Sequence, residues 1–359
     1  MKIVTVVGAR PQFIKAAVGS RQIRKEHEEV LVHTGQHYDY NMSGLFFDEL
    51  DIPKPDYNLG IYGGSHAKMT ADMLKEIEHI LIKEKPDALL IYGDTNSTLA
   101  GALAAVKLQI PVIHVEAGGR LGALSNPEEV NRIVADHLST LCFCANEDSM
   151  KHLENEGLKG RAYFVGNIMY DAFLYYSQKQ CEPHLYDFAD GEVDIPKEYY
   201  YMTCHRQENT YDDTPLTEIL MGMNDLDAPT VYPVHPRNQE RALRIVNDFS
   251  LNNVILIKPV SYLESIYLLK GCKKVVTDSG GLQTEAFFAK KQCVFVFERV
   301  AWPETMVGNR NQLAKADRHD IKKKLSVSQR IDDGYMPFGN GHAAEKICEI
   351  IRRYEGGFR

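Results

Sequence analysis

The sequence predicts an α/β protein built from two parallel-sheet units in tandem, and three observations carry that prediction. Short, continuously apolar and β-rich runs alternate with helical patterns almost from end to end. These runs lack the in–out alternation of a sheet with one wet face, so helices must cover their strands on both sides, as in parallel sheets. The rhythm then breaks at an aromatic, irregular stretch, residues 174–198, and restarts beyond it. Length agrees, since 359 residues at about 100–200 per domain make two domains or three.

The elements follow in order. Ile3–Val7 is the first strand, and the turn Gly8-Ala9-Arg10-Pro11 leads into a helix. Val30–His33 is the next strand. Ser65 to about Lys85 reads as a long helix, with Met69, Met73, Ile77, Ile80 and Leu81 spaced by threes and fours. After Pro86 come the strand Ala88–Tyr92, the turn Gly93-Asp94-Thr95, the helix Asn96–Lys107 and the strand Val112–Glu116. Leu141–Cys144 and Tyr163–Val165 close the first set. The second set is Tyr199–Cys204, Thr230–Val234, Val254–Ile257, Lys274–Thr277 and Cys293–Phe297, with the hinge near 166–172. A last helix, Ala343–Arg353, follows the turn Pro337-Phe338-Gly339-Asn340-Gly341. Ligands of such sheets bind beyond the carboxyl ends of the strands, which here predicts a site facing the cleft between the two units.

Composition removes several functional classes. Forty-one Lys+Arg against 49 Asp+Glu leave a formal charge of −8 with no basic block, a poor basis for a nucleic-acid partner. No apolar run approaches the ~18 residues of a membrane helix. The opening MKIVTVVGARPQ has neither the apolar length nor the cleavage site of a secretory signal. The cysteines, Cys142, Cys144, Cys181, Cys204, Cys272, Cys293 and Cys348, are scattered and odd in number, which reads as reduced structural thiols of a cytoplasmic protein. Cys142 and Cys144 share one strand face, but nothing completes a zinc site, and no metal is expected.

Four strand ends carry unusual polar sets. Arg10 stands at a strand-to-helix turn with Lys15 one turn further on, an arrangement suited to an oxyanion and equally compatible with a solvated loop. Thr277-Asp278-Ser279-Gly280-Gly281 pairs glycines with a helix start, where backbone N–H groups can approach an anion; its bland reading is an ordinary cap. It lacks the Walker lysine and the dinucleotide spacing, so neither an ATPase nor an NAD enzyme is supported. Glu285 follows it and is placed to hold a sugar hydroxyl. The third set is acidic: Asp94 and Glu116 close consecutive strands, and Glu128 lies in Asn126-Pro127-Glu128-Glu129-Val130-Asn131-Arg132. Singly, Asp94 could cap the next helix and Glu128 could answer a helix dipole; together they favour acid–base work. The fourth set is His205-Arg206-Gln207-Glu208-Asn209, and Tyr232-Pro233-Val234-His235-Pro236-Arg237 repeats its logic one strand later.

In this order, these sets resemble the non-hydrolysing UDP-N-acetylglucosamine 2-epimerase family. The resemblance also rests on Thr34-Gly35-Gln36-His37, Tyr92-Gly93-Asp94-Thr95, His114-Val115-Glu116-Ala117-Gly118 and Gly339-Asn340-Gly341, and spans nearly the whole chain. It implies a GT-B-like pair of Rossmann-like domains, residues 1–168 and 169–341, with the segment 342–359 packing back on the first domain. It further implies a UDP-sugar in the interdomain cleft, no cofactor, and a homodimer. Asp94, Glu116, Glu128 and His205 match the family's catalytic residues. Arg10 and Lys15 match the diphosphate side, and Ser279, Gly280, Gly281 and Glu285 the nucleotide turn, with His235 beside them. The implied reaction turns UDP-N-acetylglucosamine into UDP-N-acetylmannosamine by loss and re-addition of UDP through a 2-acetamidoglucal. Gly-Ala-Arg-Pro-Gln-Phe-Ile-Lys also resembles the branch acting on UDP-2,3-diacetamido-2,3-dideoxy-glucuronic acid. A hydrolysing epimerase and a GT-B glycosyltransferase are further alternatives. Two departures stand out. Gly119 replaces a usual Leu, which would loosen the loop carrying Arg120 toward Glu128, and Gln207 replaces a frequent Arg.

Overall fold

An unbroken apolar strand has to be covered on both faces, and the computed structural model meets that demand twice. It describes residues 1–36, 47, 49–122, 124–179, 182–300, 302–354 and 357; His37 and Cys181 lie outside them. The chain divides into one unit of Met1–Tyr175 with Met336–Arg359 and another of Tyr176–Tyr335.

The sheet of the first unit contains β1 (Lys2–Val7), β2 (Glu28–His33), β3 (Tyr57–Asn58), β4 (Ala88–Tyr92), β5 (Val112–Ala117), β6 (Leu141–Cys144) and β7 (Ala162–Phe164). The order is β3-β2-β1-β4-β5-β6-β7, and every pair is parallel. The helix His66–Glu84 starts where Ser65 Oγ accepts the Lys68 N–H at 3.2 Å and stops at Lys85 in the left-handed region. It buries Met73, Ile77, Ile80 and Leu81 against the core, each contributing about 1.5–3 kcal/mol. Asn96–Lys107 packs closer still, because it is lined with small residues. A Cβ on Gly101 would lie 3.2 Å from Ile91 Cγ2. Cys142 and Cys144 enter one cluster with Leu153 and Leu158, as strand alternation requires. Within this unit the helix Ala343–Tyr354 packs on Arg10–Glu26 and buries Ala344, Ile347 and Ile351. The Ala344 N–H donates to Asp171 Oδ2 at 2.8 Å.

In the second unit a hairpin, β8 (Leu185–Tyr186) with β9 (Glu192–Val193), precedes the sheet. The sheet comprises β10 (Tyr200–Thr203), β11 (Thr230–Pro233), β12 (Val254–Ile257), β13 (Val275–Thr277), β14 (Cys293–Val296) and β15 (Asn311–Ala314). Its order is β12-β11-β10-β13-β14-β15, all parallel. The sequence does not announce β3, β15 or the hairpin. It treats 174–198 as irregular, whereas a helix runs to Tyr176 and two residues of each hairpin strand pair.

Both sheets reverse direction of growth once, between β1 and β4 in one and between β10 and β13 in the other. Connections on either side of such a point diverge and leave a crevice at the carboxyl edge. The loops flanking the first point hold Gly8-Ala9-Arg10 and Gly93-Asp94, and those flanking the second hold His205-Arg206 and Asp278-Ser279.

Candidate active site

In the first unit, Gln12 ties the two loops at the switch point. Its buried Oε1 accepts the Gly8 and Ala9 N–H groups at 2.8 and 3.1 Å. Its Nε2 donates to Tyr92 O at 2.7 Å and to Thr95 and Thr98 Oγ1 at 3.0 Å. Gly8 has no room for a side chain, since a Cβ would fall 2.2 Å from Ser97 Oγ. Arg10 opens the helix, and burial pulls its guanidinium below the ordinary value.

Glu116 sits in a β-bulge where pairing with β6 slips between Val115 and Ala117, with φ at +70°. A non-glycine there costs about 1–3 kcal/mol, strain of a kind that collects at functional sites. Its Oε2 lies 2.5 Å from Nζ of Lys15, a lysine only 7 % exposed. A Cβ built on Gly93 would stand 3.5 Å from the same Nζ, so the ammonium lies over the turn that carries Asp94. Lys15 is therefore engaged by a carboxylate.

Asp94 does not cap the following helix, because Thr95 Oγ1 does so by accepting the Thr98 N–H. Its carboxylate pairs with Arg132 Nη2, and its carbonyl accepts Asn131 Nδ2 at 2.9 Å. Glu128 is exposed in the first turn of Pro127–Leu138, its N–H bonded to the cap Asn126 at 2.9 Å. Glu128, Asn131 and Arg132 stand three and four residues apart, hence on the helix face that grips Asp94. The neighbouring Glu129 is the buried one. It accepts Leu121 and Gly122 N–H at 2.9 Å and pairs with Arg132 Nη1. That contact was not readable locally, because the donors come from a loop folding over the helix.

The loop after Gly119, which that glycine was expected to loosen, is held by Arg120. Its Nε and Nη2 grip Glu156 at 2.7 Å each and its Nη1 donates to Asp136 at 2.7 Å, so three charge-assisted bonds hold what Gly119 leaves free.

In the second unit, Asp278 is the organiser, buried to 1 %. It accepts the N–H of His205 at 3.0 Å, the N–H of Arg206 at 2.9 Å and Asn209 Nδ2 at 3.2 Å. It also stands 3.3 Å from His205 Nδ1. His205 is left 41 % exposed and stacks on His235 with ring centroids 6.2 Å apart. His235 accepts the Arg237 N–H at 3.2 Å. Arg206, which the sequence reading left without a role, donates Nε to Asp278 O at 2.6 Å and lies 4.0 Å over the Phe297 ring. Its Nη2 is 4.0 Å from where Gly280 would carry a Cβ, beside the start of Gly280–Phe288. Ser279 Oγ caps that helix, accepting the Leu282 N–H at 3.3 Å. A helix N-terminus, two glycines and a guanidinium together suit a diphosphate. Burial pushes the Glu285 carboxyl up to about 7, a rise partly offset by a hydrogen bond with Tyr262. Among the described residues no group of His, Cys, Asp and Glu is arranged to hold a metal ion.

Comparison with known proteins places this geometry. Residues 21–352 match the family described as UDP-N-acetylglucosamine 2-epimerase. A UDP-N-acetylglucosamine 2-epimerase homolog of Methanococcus maripaludis is 44 % identical over 98 % of this chain and 99 % of its own. The UDP-2,3-diacetamido-2,3-dideoxy-D-glucuronate 2-epimerase of Pseudomonas aeruginosa is 43 % identical over 98 % of this chain and all of its own, 100 %. The crystal structure of Methanocaldococcus jannaschii UDP-GlcNAc 2-epimerase with UDP-GlcNAc and UDP superposes with a TM-score of 0.83 at 34 % identity, covering 98 % of this chain and 100 % of that one. With two parallel-sheet units, carboxylates at one switch point and an anion-suited turn at the other, the chain belongs to the UDP-N-acetylglucosamine 2-epimerase family and is an epimerase, hence an isomerase.

Proposed function

We propose that the protein inverts C2 of a UDP-2-acetamido sugar by eliminating and re-adding UDP. The observation that carries this reading is the pair of carboxylates at adjacent strand ends, Asp94 on Arg132 and Glu116 on Lys15. A pyranoside C2–H is not acidic. As the C1–O bond to UDP breaks, C1 gains oxocarbenium character and C2–H becomes acidic enough for a carboxylate. The proton passes to that carboxylate, its electron pair forms the C1=C2 bond of a 2-acetamidoglucal, and UDP leaves with the C1–O pair. Protonation of C2 from the opposite face and attack of UDP on C1 give the epimer, with atoms and charge conserved. Asp94, Glu116 and Glu128 serve as the acid–base groups, with His205 as a further catalytic residue. Arg10, Arg206 and the Ser279–Gly281 turn hold the departing diphosphate, and Glu285 takes a ribose hydroxyl. Lys15 is available to the diphosphate only if its pair with Glu116 opens.

UDP-N-acetylglucosamine is the first substrate to offer. A second reading, the diacetamido uronic acid sugar, is supported by the 43 % identity to the Pseudomonas enzyme, which stands level with the 44 % to the Methanococcus homolog. Proton NMR in D₂O without nicotinamide separates them. UDP-N-acetylmannosamine carrying deuterium at C2 supports the first reading, and exchange only with the diacetamido uronate supports the second. Free N-acetylmannosamine with UDP would mean hydrolysis, and no exchange with either sugar would remove the proposal. The homodimer is part of the same reading and is tested by sedimentation equilibrium.

A further inference from the structure

We propose that Asp136 is a positioning residue that, with His114 as its relay, sets the Asp94 turn and the Glu116 bulge of the first unit from one buried point. Asp136 is completely buried on the helix that also carries Glu128. It accepts His114 Nδ1 at 2.7 Å, the Gly118 N–H at 3.0 Å and Arg120 Nη1 at 2.7 Å. His114, equally buried, donates its other ring nitrogen to Gly93 O at 2.7 Å. The Gly93 N–H already bonds Val115 O at 2.9 Å, so both polar groups of that residue are held from β5. The peptide that begins Asp94 is thereby fixed. On the other strand, His114 and Gly118 stand two residues either side of Glu116, and both end on the same carboxylate. This clamps the bulge that keeps Glu116 at its positive φ.

The geometry has little slack. Gly118 is itself left-handed, and a Cβ there would fall 2.4 Å from Ser149 O. Its carbonyl accepts His152 Nδ1 at 2.9 Å. Burial alone would raise the Asp136 carboxyl, but the bonds and charges of His114 and Arg120 outweigh it and hold the group below its ordinary value. A buried ion cluster is no bargain for stability compared with apolar packing. Holding two loops and a helix in register is a use that apolar side chains, which are non-directional, do not offer.

The proposal rests on the epimerase reading, and its test separates the two. Asp136→Asn keeps shape but turns one acceptor into a donor, so at least one of the three incoming donors is lost. Glu29→Gln is the matched structural control. Glu29 is a buried carboxylate of the same unit, accepting Thr5 and Ser20 hydroxyls at 2.7 and 2.9 Å and Arg24 at 2.7 Å, with none of these partners in the loops at 93–95 and 118–122. We expect Asp136→Asn to lower kcat for C2 exchange by about 10²-fold, the cost of an ångström-scale misplacement. UDP affinity should change by no more than about threefold, because the diphosphate groups of the second unit are untouched. Glu29→Gln should lower Tm and leave kcat in place. Amide hydrogen exchange should speed up at residues 93–95 and 118–122 in Asp136→Asn alone. His114→Gln, which cuts only the tie to Gly93, should loosen 93–95 and spare 118–122; it also serves if Asp136→Asn does not fold. Wild-type turnover with unchanged kcat in both variants would overturn the proposal, as would a kcat loss equalled by Glu29→Gln. If the wild type turns over no UDP-sugar, the epimerase reading fails. Amide exchange then decides the linkage alone, and unchanged protection at 93–95 refutes it.

Discussion

Replacing Glu285 with Gln should make unfolding of the second unit less dependent on pH. The side chain lies on Gly280–Phe288 among buried Gln283, Thr284 and Ala286, and burial lifts its carboxyl from 4.5 to about 7. The native state thus holds the proton where the unfolded chain has released it, and unfolding releases a proton between pH ~4.5 and ~7. Stability contributed by this position is complete below the lower value, falls across the window and stays low above it. At 1.36 kcal/mol per unit the fall reaches about 3 kcal/mol. The sole tryptophan, Trp302, lies in the second unit, so its fluorescence in urea reports on that unit. The wild type should lose stability between pH 4.5 and 7.5 relative to Glu285→Gln, whose own curve lacks this component. Parallel curves for the two proteins would refute the assignment of a desolvated carboxyl. Saturating UDP adds a second arm. If ribose hydroxyls bond the carboxylate, UDP binding near pH 6 should release a proton, seen as a buffer-dependent binding enthalpy that Glu285→Gln abolishes.

Three further outcomes follow from the pairs described. Asp94→Asn and Glu116→Gln should each reduce C2 deuterium exchange by about 10²–10⁴-fold while UDP still binds, measured by NMR and calorimetry. Arg206→Ala should weaken UDP binding by about 10–100-fold, the worth of a lost charged hydrogen bond, with the deficit shrinking as salt is raised in a titration series. Gly118→Ala should cost more than about 1 kcal/mol in thermal melts, because it meets both a positive φ of 81° and the Ser149 carbonyl. Gly122→Ala has nothing within 4 Å and should lose only the smaller conformational part.

The central strands were legible because a strand covered on both faces has to be apolar at every position. Ala88–Tyr92 and Leu141–Cys144 fall where the sequence puts them. The edge strand Val254–Ile257 is still apolar and legible, but two other edge elements escape that logic. Tyr57–Asn58 is two residues long, and Asn311–Ala314 meets one neighbour and carries polar residues, with Asn311 donating Nδ2 to Gln283 O at 2.9 Å. Such strands follow from partners distant in the chain, and no local period marks them.

The same distinction governs the carboxylates. A motif displays an acid but not how many N–H groups converge on it, and an ionised carboxylate with its lone pairs taken is framework rather than reagent. Glu129, Asp136 and Asp278 are of the first kind, each buried and each accepting at least three bonds. Asp94 and Glu116 keep part of their surface, 31 % and 22 %, with one cation apiece, and Glu128 is exposed. Three couplings join the two kinds and His205. Glu129 holds the Arg132 that holds Asp94, Asp136 clamps the turns around Glu116, and Asp278 fixes the backbone and ring of His205. Asp94, Glu116 and His205 are thus each aimed by a neighbour that cannot react, and the aiming contacts span 3 residues in one case and 73 in another. This is why residue types at strand ends are readable from the sequence, whereas their division into reagents and supports emerges only when the donors are counted in space.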